Sequence, residues 1–426
     1  MTDNALPDAP RKPRRGPLLI IFITVFIDLL GFGIVLPLLP RYGKAFQADD
    51  LTLGLLMASF SAMQFVFAPI WGRVSDRVGR RPILILGLAG STAFYALFGF
   101  ATSLGADATW LGLGAVPWLF ISRMGAGIAG ATIPTAQAYI ADVTGERERG
   151  KGMALIGAAF GIGFTFGPLI GAAFVSDKVG APPSEYPGYV AAVLSGIAML
   201  CAIFVLPESL RKERSAASES HWFALGRLRK AVGVRGVGLI LLTMFLTTFA
   251  FGQLESTLSL LTKEVGMDQR NNFYVFSYIG FILMISQGIL VRRLLPRFGE
   301  FNMGLTGTLL MAAGMLLVAR AGETSSQEWL FVVLPVSVLG FSALSPSLQA
   351  LLSLRTAESE QGGILGVGQS ISALARIVGP AVGIPLFGLG ISVPYWTGAG
   401  LMGFGVLLVL ALRTVAVSPA DSSRQG

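Results

Sequence analysis

Twelve apolar stretches leave this chain little choice of fold, running approximately over 17–40, 51–71, 82–102, 115–140, 152–175, 187–206, 236–261, 272–291, 301–319, 328–354, 362–388 and 392–413. A helix rises 1.5 Å per residue, so about 20 apolar residues cross about 30 Å of hydrocarbon. Each stretch has that length, and only 13% of the chain is charged while 53% is hydrophobic. That charged share is about half the soluble norm. The expectation is an all-α integral membrane protein. Its 54 glycines then read as helix contact surface, since membrane helices use small residues to bring backbones together.

Several chemistries drop out. The single cysteine, Cys201, lies in an apolar run and the single histidine, His221, in a polar one. Disulfide frameworks, Cys/His metal sites and histidine triads are therefore not expected. No HExxH, nucleophile elbow or paired aspartate cluster appears, so an enzyme is not expected either. The net charge of +8 raises nucleic acid as a partner, but the basic residues gather at span ends, where they act as topology signals. The partners expected are the lipid bilayer, a small-molecule substrate and protons, with no nucleic acid, and the protein is expected to be a monomer.

Of the 32 Lys and Arg residues, 24 fall on one side of the twelve spans, six on the other, and Arg123 and Arg376 inside them. By the positive-inside rule both termini are cytoplasmic, in a multi-pass plasma (inner) membrane protein. The basic start is followed by an apolar stretch too long for a signal-peptide core, so the first span should be retained. The division expected is a tail over 1–16, a six-helix bundle over 17–206, a cytoplasmic linker over 207–235, a second bundle over 236–414 and a tail over 415–426. An internal repeat supports two halves: Pro134, Gln137, Gly167, Pro168 and Gly171 recur at a constant offset of 212 as Pro346, Gln349, Gly379, Pro380 and Gly383. Two like-oriented bundles of six place a binding site between them.

One polar knot stands between the second and third spans. GRVSDRVGRR, residues 72–81, carries five charges. Gly72 reads as a place where two helix ends nearly touch, and Gly79 as a backbone turn with positive φ. Asp76 sits among Arg73, Arg77, Arg80 and Arg81, free to accept from them or to lie at a neighbouring helix N-terminus. A topology anchor explains the arginines, but not the aspartate with both glycines.

The stretch has the form G-x-x-x-D-R-x-G-R-R and resembles the signature loop of the major facilitator superfamily. IDLLGFGIVLPLLP (27–40), SRMGAGIAGATIP (122–134), AYIADVT (138–144), GIGFTFGPLIG (161–171) and LPES (206–209) resemble the tetracycline-resistance-type branch of drug/proton antiporters. The resemblance is dense in the first half and loose in the second, where RRLLPRFGE (292–300) stands for the signature loop without an acid at the Asp76 slot. It implies twelve helices in two pseudo-symmetric bundles, the major facilitator fold, working by alternating access. It also implies a conformational gate at Gly72, Asp76, Arg77, Gly79, Arg80 and Arg81, a proton-coupling role for Arg123, and an exporter-type helix motif at Gly161, Gly167, Pro168 and Gly171. No cofactor is implied, the drive being the proton gradient.

The charges inside the spans can be read without that resemblance. Asp28 lies about ten residues into its span, about 15 Å deep and near the midplane. A carboxylate there costs at least about 2.5 kcal/mol unless it is protonated, paired or open to water. Glu255, Arg123 and Arg376 are the other intramembrane charges. The four can face one cavity or form fixed ion pairs such as Asp28 with Arg123 or Arg376. Gln64, Gln137, Gln253, Gln287 and Gln349, with Phe94, are candidates for a substrate cavity, and each amide can equally tie helices together. Twenty-nine phenylalanines suit a lipophilic substrate better than a sugar. The tetracycline pumps carry an acid in the third span where Phe94 stands here, another in the ninth and a histidine in the eighth, so tetracycline itself is doubtful. The reading is proton-coupled efflux of small lipophilic compounds, the alternative being a proton-coupled symporter importing a metabolite.

Overall fold

The computed structural model describes residues 15–144, 149–210, 236–324, 326–356 and 361–414. Most of the expected linker and nearly all of both expected tails lie outside these residues, as do 145–148 and 357–360 of the repeat. Among the described residues the chain is helical apart from short turns. The first span is Arg15–Val35, continued after a turn by Leu39–Ala45; the second is Asp50–Val78 and the third Arg80–Ser103. The fourth joins Ala115–Ala129 to Ile133–Val143 through one 3-10 turn, the fifth is Arg149–Gly171 and the sixth Tyr186–Val205. The second half opens with Val237–Glu264 and Gln269–Ile285, the latter running through a π turn at Ser286–Val291. Arg292–Thr324, Gln327–Leu354, Gln361–Leu389 and Val393–Thr414 complete it.

From Gln269 to Thr324 the helix is nominally continuous for 56 residues. At 1.5 Å per residue that is about 84 Å, far more than a bilayer. Gly299, at φ 75° and ψ 160°, breaks it into the eighth and ninth spans. The structure corrects the polar loops on the same point. The second helix runs to Val78 and the third starts at Arg80, so the knot over 72–81 is almost wholly helical and Gly79 alone, at φ 115° and ψ 156°, makes the turn. Charged helix ends continue past the hydrocarbon, where solvated side chains no longer limit helix length.

The packing repeats as the sequence does. Spans one and five, one and six, three and six, three and four, and two and four pack together, and so do their counterparts seven and eleven, seven and twelve, nine and twelve, nine and ten, and eight and ten. The halves meet along two seams, two against eleven and five against eight. The repeated Gly-Pro pair explains one crossing in each half. A side chain on Gly167 would stand 2.7 Å from the Leu30 carbonyl, and one on Gly379 would stand 3.1 Å from that of Phe249, so only glycine admits the first and seventh spans this closely. The second and eighth spans begin alike, Asp49 accepting from the Thr52 N–H at 2.9 Å and Asp268 from that of Asn271 at 2.7 Å. The Thr52 amide holds the exposed Asp49 carboxyl below the usual carboxylate range.

Candidate functional site

At the end of the molecule away from Gly79 the two halves are bolted together. Arg41, buried, donates through Nε to the Ser259 carbonyl at 3.0 Å, through Nη1 to the Met267 carbonyl at 3.0 Å and through Nη2 to Thr262 Oγ1 at 2.9 Å. The Pro37 carbonyl in turn accepts from Ser259 Oγ at 2.7 Å and from Asn272 Nδ2 at 3.0 Å. Pro37 sits in the turn that interrupts the first span, where the broken helix leaves that carbonyl without a helical donor. Gln269 reaches the carbonyls of Ala181 and Pro182, and Arg270 pairs with Asp177 at 3.1 Å. Both seams are tight here: a side chain on Gly171 would meet the Phe273 ring at 2.6 Å, and one on Gly54 the Pro380 carbonyl at 3.0 Å.

The Gly79 end is different. Arg80 Nη1 donates to Ser75 Oγ at 2.8 Å and to Asp76, and Arg80 Nε donates to Asp142 at 3.3 Å. Glu208 accepts from the backbone N–H of Arg80 at 2.9 Å and of Arg81 at 3.1 Å, occupying the N-terminus of the third span with its carboxylate. Arg81 reaches the Ile203 carbonyl, and Arg77 is exposed. Three motifs far apart in sequence, the 72–81 stretch, AYIADVT and LPES, thus form one charged network inside the first half. None of these bonds reaches the second half among the described residues. Asp76 takes the first of its two sequence options, because Glu208 already holds the nearby helix end. Gly72 corrects its expectation: a side chain there would meet nothing within 4 Å among the described residues, since the neighbouring helix ends stand apart at this end.

Between bolted end and open end lies a cavity of about 2040 Å³, lined from both halves and reaching Pro69, Leu155, Arg292 and Gly363 on the Gly79 side. Asp28, Arg123, Glu255 and Arg376 all line it. Fixed ion pairs do not form among the described residues: none of the four lies within 4.0 Å of an opposite charge there. Asp28 accepts from Ser195 Oγ at 3.2 Å. Arg123, 2% exposed, has Nε and Nη1 without hydrogen-bond partners among the described residues and holds its guanidinium 4.5 Å from the Phe60 ring and 5.8 Å from that of Phe32. Arg376 is exposed to the cavity.

Of the candidate cavity residues, Gln64, Gln137, Gln287 and Gln349 line it, Gln137 and Gln349 being repeat partners, while Gln64 also donates to the Gly130 carbonyl at 3.2 Å. Gln253 and Phe94 correct the expectation. Gln253 is 1% exposed and wedged against Gly383 and Gly398, where small residues let the eleventh and twelfth spans close over it. Phe94 fills the space left by Gly125, between the third and fourth spans. Phe32, Phe164, Phe341 and Gln369 line the cavity unforeseen. In helices apolar on every side, nothing in sequence marks which phenylalanine faces lipid. Gly161 and Gly171 face the eighth span at Met284 and Phe273, whereas Gly167 and Pro168 face the first.

The sequence profile described as the Major Facilitator Superfamily matches residues 21–380. The chain is 30% identical over 414 residues to the class C tetracycline resistance protein of Escherichia coli, covering 95% of this chain and 98% of the relative. It is 28% identical over 403 residues to multidrug resistance protein 2 of Bacillus subtilis (strain 168), covering 93% and 94%. Among solved structures it resembles the human organic anion transporter MFSD10 with TM-score 0.67 and 26% identity, over 94% of this chain and all of that one. A D-xylose-proton symporter shares the fold alone, with TM-score 0.71 and 20% identity over 94% and 97%.

Proposed function

The chain belongs to the major facilitator superfamily of membrane transporters, and from that premise we propose that it is a proton-coupled antiporter exporting small lipophilic compounds by alternating access. The observation that carries the proposal is a single cavity holding Asp28 and Glu255 unpaired, open toward the Gly79 end and bolted shut at the other by Arg41. In this reading the open end is cytoplasmic, both termini lie on that side, and the membrane is the plasma (inner) membrane. No cofactor takes part. Substrate enters from the cytoplasm onto phenylalanine walls; once the Arg41 bonds break and the Gly79 end closes, it leaves outward. Asp28 or Glu255 takes a proton from outside on the empty return and releases it inward.

Direction is supported by the Gly-Pro motif of the fifth span and by relatives named for tetracycline and multidrug resistance. Tetracycline itself fits less well, because Phe94 stands where the tetracycline pumps carry an acid and faces Gly125 rather than the cavity. At about 150 mV one net charge supplies about 3.5 kcal/mol, enough for a gradient of a few hundredfold. One proton per neutral substrate therefore suffices. In proteoliposomes with an imposed proton gradient, Asp28→Asn should abolish uphill transport while leaving downhill exchange. Undiminished uphill transport would remove Asp28 from the coupling, and substrate accumulating in the direction of proton flow would replace antiport by symport.

A further inference from the structure

The connection between the third and fourth spans, residues 104–114, is apolar where an aqueous loop would be polar. Between Arg81 and Arg123 the only charged residue is Asp107. Trp110 and Leu113 exchange both backbone bonds, at 2.9 and 3.0 Å, so Leu111 and Gly112 form a two-residue hairpin turn. Both have positive φ, 51° and 76°, a pattern that favours Asn-Gly. Leucine is therefore strained at the tip, and its side chain is 75% exposed. Water would favour a polar residue there twice over, for the backbone and for the side chain. The hairpin stands on a firm base: the Trp110 ring centroid lies 5.1 Å from that of Phe100 and 4.8 Å from that of Trp118, and Trp118 Nε1 donates to the Trp110 carbonyl at 3.3 Å. Leu113, directly opposite Trp110, is exposed as well. The third span runs 24 residues from Arg80 to Ser103, about 36 Å at 1.5 Å per residue. Hydrocarbon is about 30 Å thick, so the hairpin leaves the span at headgroup level, at the Arg41 end.

We propose that residues 110–113 are an interfacial anchor: the hairpin folds back onto the leaflet at the Arg41 end, its backbone in the headgroup layer and the Leu111 side chain among the upper acyl chains. The anchor fixes the depth at which the corner between the third and fourth spans sits. Indole rings suit that layer, where an apolar body and an N–H are both satisfied. The lipid is zwitterionic, since the segment brings no basic residue to recruit anionic headgroups. Depth is limited by the turn itself. Leu111 and Gly112 make no backbone hydrogen bond among the described residues, so their peptide groups need the water and ester oxygens of the headgroup layer and stay out of the hydrocarbon. A second copy of the chain fits less well, because four residues fall far short of the roughly 20–30 a side in a stable protein interface. The inference goes beyond the transport reading and holds whichever way transport runs.

The test places a nitroxide at Leu111→Cys in the full-length Cys201→Ser protein, held in phosphatidylcholine nanodiscs, and measures its collisions with oxygen, which concentrates in acyl chains, and with a nickel chelate confined to water. Lys178→Cys, exposed at the same end, is the water reference, and Leu86→Cys, exposed on the third span away from the cavity, is the lipid reference. The oxygen-to-nickel ratio at position 111 should exceed that at 178 by at least about threefold, as for a side chain seated below the headgroups. A smaller difference overturns the proposal. Because the label is itself apolar, the native side chain is read too: the emission that Trp110→Phe removes should be quenched by lipid brominated near the top of its acyl chains and shielded from iodide. Quenching by iodide and not by brominated lipid overturns it. Exclusion of both collision reagents at position 111, with spin–spin broadening, would assign the hairpin to a second copy and overturn it as well. Monodispersity and unfolding temperature establish that each variant is folded, and the nitroxide measurement carries the test if Trp110→Phe is not.

Discussion

Gly79 and Gly299 hold the same left-handed, extended backbone, φ 115° and ψ 156° against φ 75° and ψ 160°, at equivalent breaks between the second and third and between the eighth and ninth spans. Their surroundings differ. A side chain at Gly79 would run into the Glu208 carboxylate, and one at Gly299 would meet nothing within 4 Å among the described residues.

Gly299→Ala should therefore cost only backbone strain, about 1 kcal/mol, and Gly79→Ala more, up to about 3 kcal/mol, because Glu208 must also leave the third span's N-terminus. Thermal unfolding in detergent measures both. Equal losses would mean that the Glu208 cap contributes nothing to the folded state.

Asp76 is half exposed and bonds the buried Arg80 across the Gly79 turn. Asp76→Asn keeps an acceptor for Arg80, which also retains Ser75 and Asp142, so unfolding temperature and topology should be nearly unchanged. If Asp76 acts when the helix ends on the Gly79 side close, the same variant should slow transport at least about tenfold. Transport at the native rate would return the 72–81 stretch to a topology anchor.

The spans, the two halves and the repeat were legible because each rests on a property that depends on composition or spacing: an apolar run long enough to cross, and glycines where helices touch. The Gly-Pro pairs at Gly167 and Gly379 pack as the repeat implies. Orientation around each helix was less legible. Gln137 and Gln349 face the cavity and Gln253 does not, though all three are amides in apolar helices, because burial depends on which neighbour offers Gly383 or Gly398. The bond from Arg41 to the second half and the Glu208 cap join residues more than a hundred positions apart, and one sequence holds no record of such contacts.

Gln253 has both amide atoms buried and without hydrogen-bond partners among the described residues. An unsatisfied buried polar group costs about 1–3 kcal/mol, so Gln253→Met, close in shape, should raise stability by about 1 kcal/mol and leave substrate affinity unchanged. A loss of affinity would place the seventh span's amide back among the substrate contacts.

Arg41 joins the halves only while this end stays shut, because its three acceptors, Ser259, Met267 and Thr262, all belong to the second half. A hydrogen bond to a charged donor contributes about 1.5–3 kcal/mol, and Arg41→Gln removes at least one of three. The balance between forms closed and open at the Arg41 end should then move toward the form open there by about tenfold or more, since about 1.4 kcal/mol is a factor of ten. Arg41→Lys keeps the charge as a single point and cannot span three acceptors, so its shift should be intermediate. Spin labels at Lys178→Cys and Asn271→Cys, exposed positions on opposite halves of this end, report the change in a Cys201→Ser background. Pulsed dipolar spectroscopy should show the long-distance population growing from the parent to Lys to Gln. Identical distance distributions in all three would mean that the seams at Gly171 and Gly54 hold this end closed and that the buried arginine is only packed there.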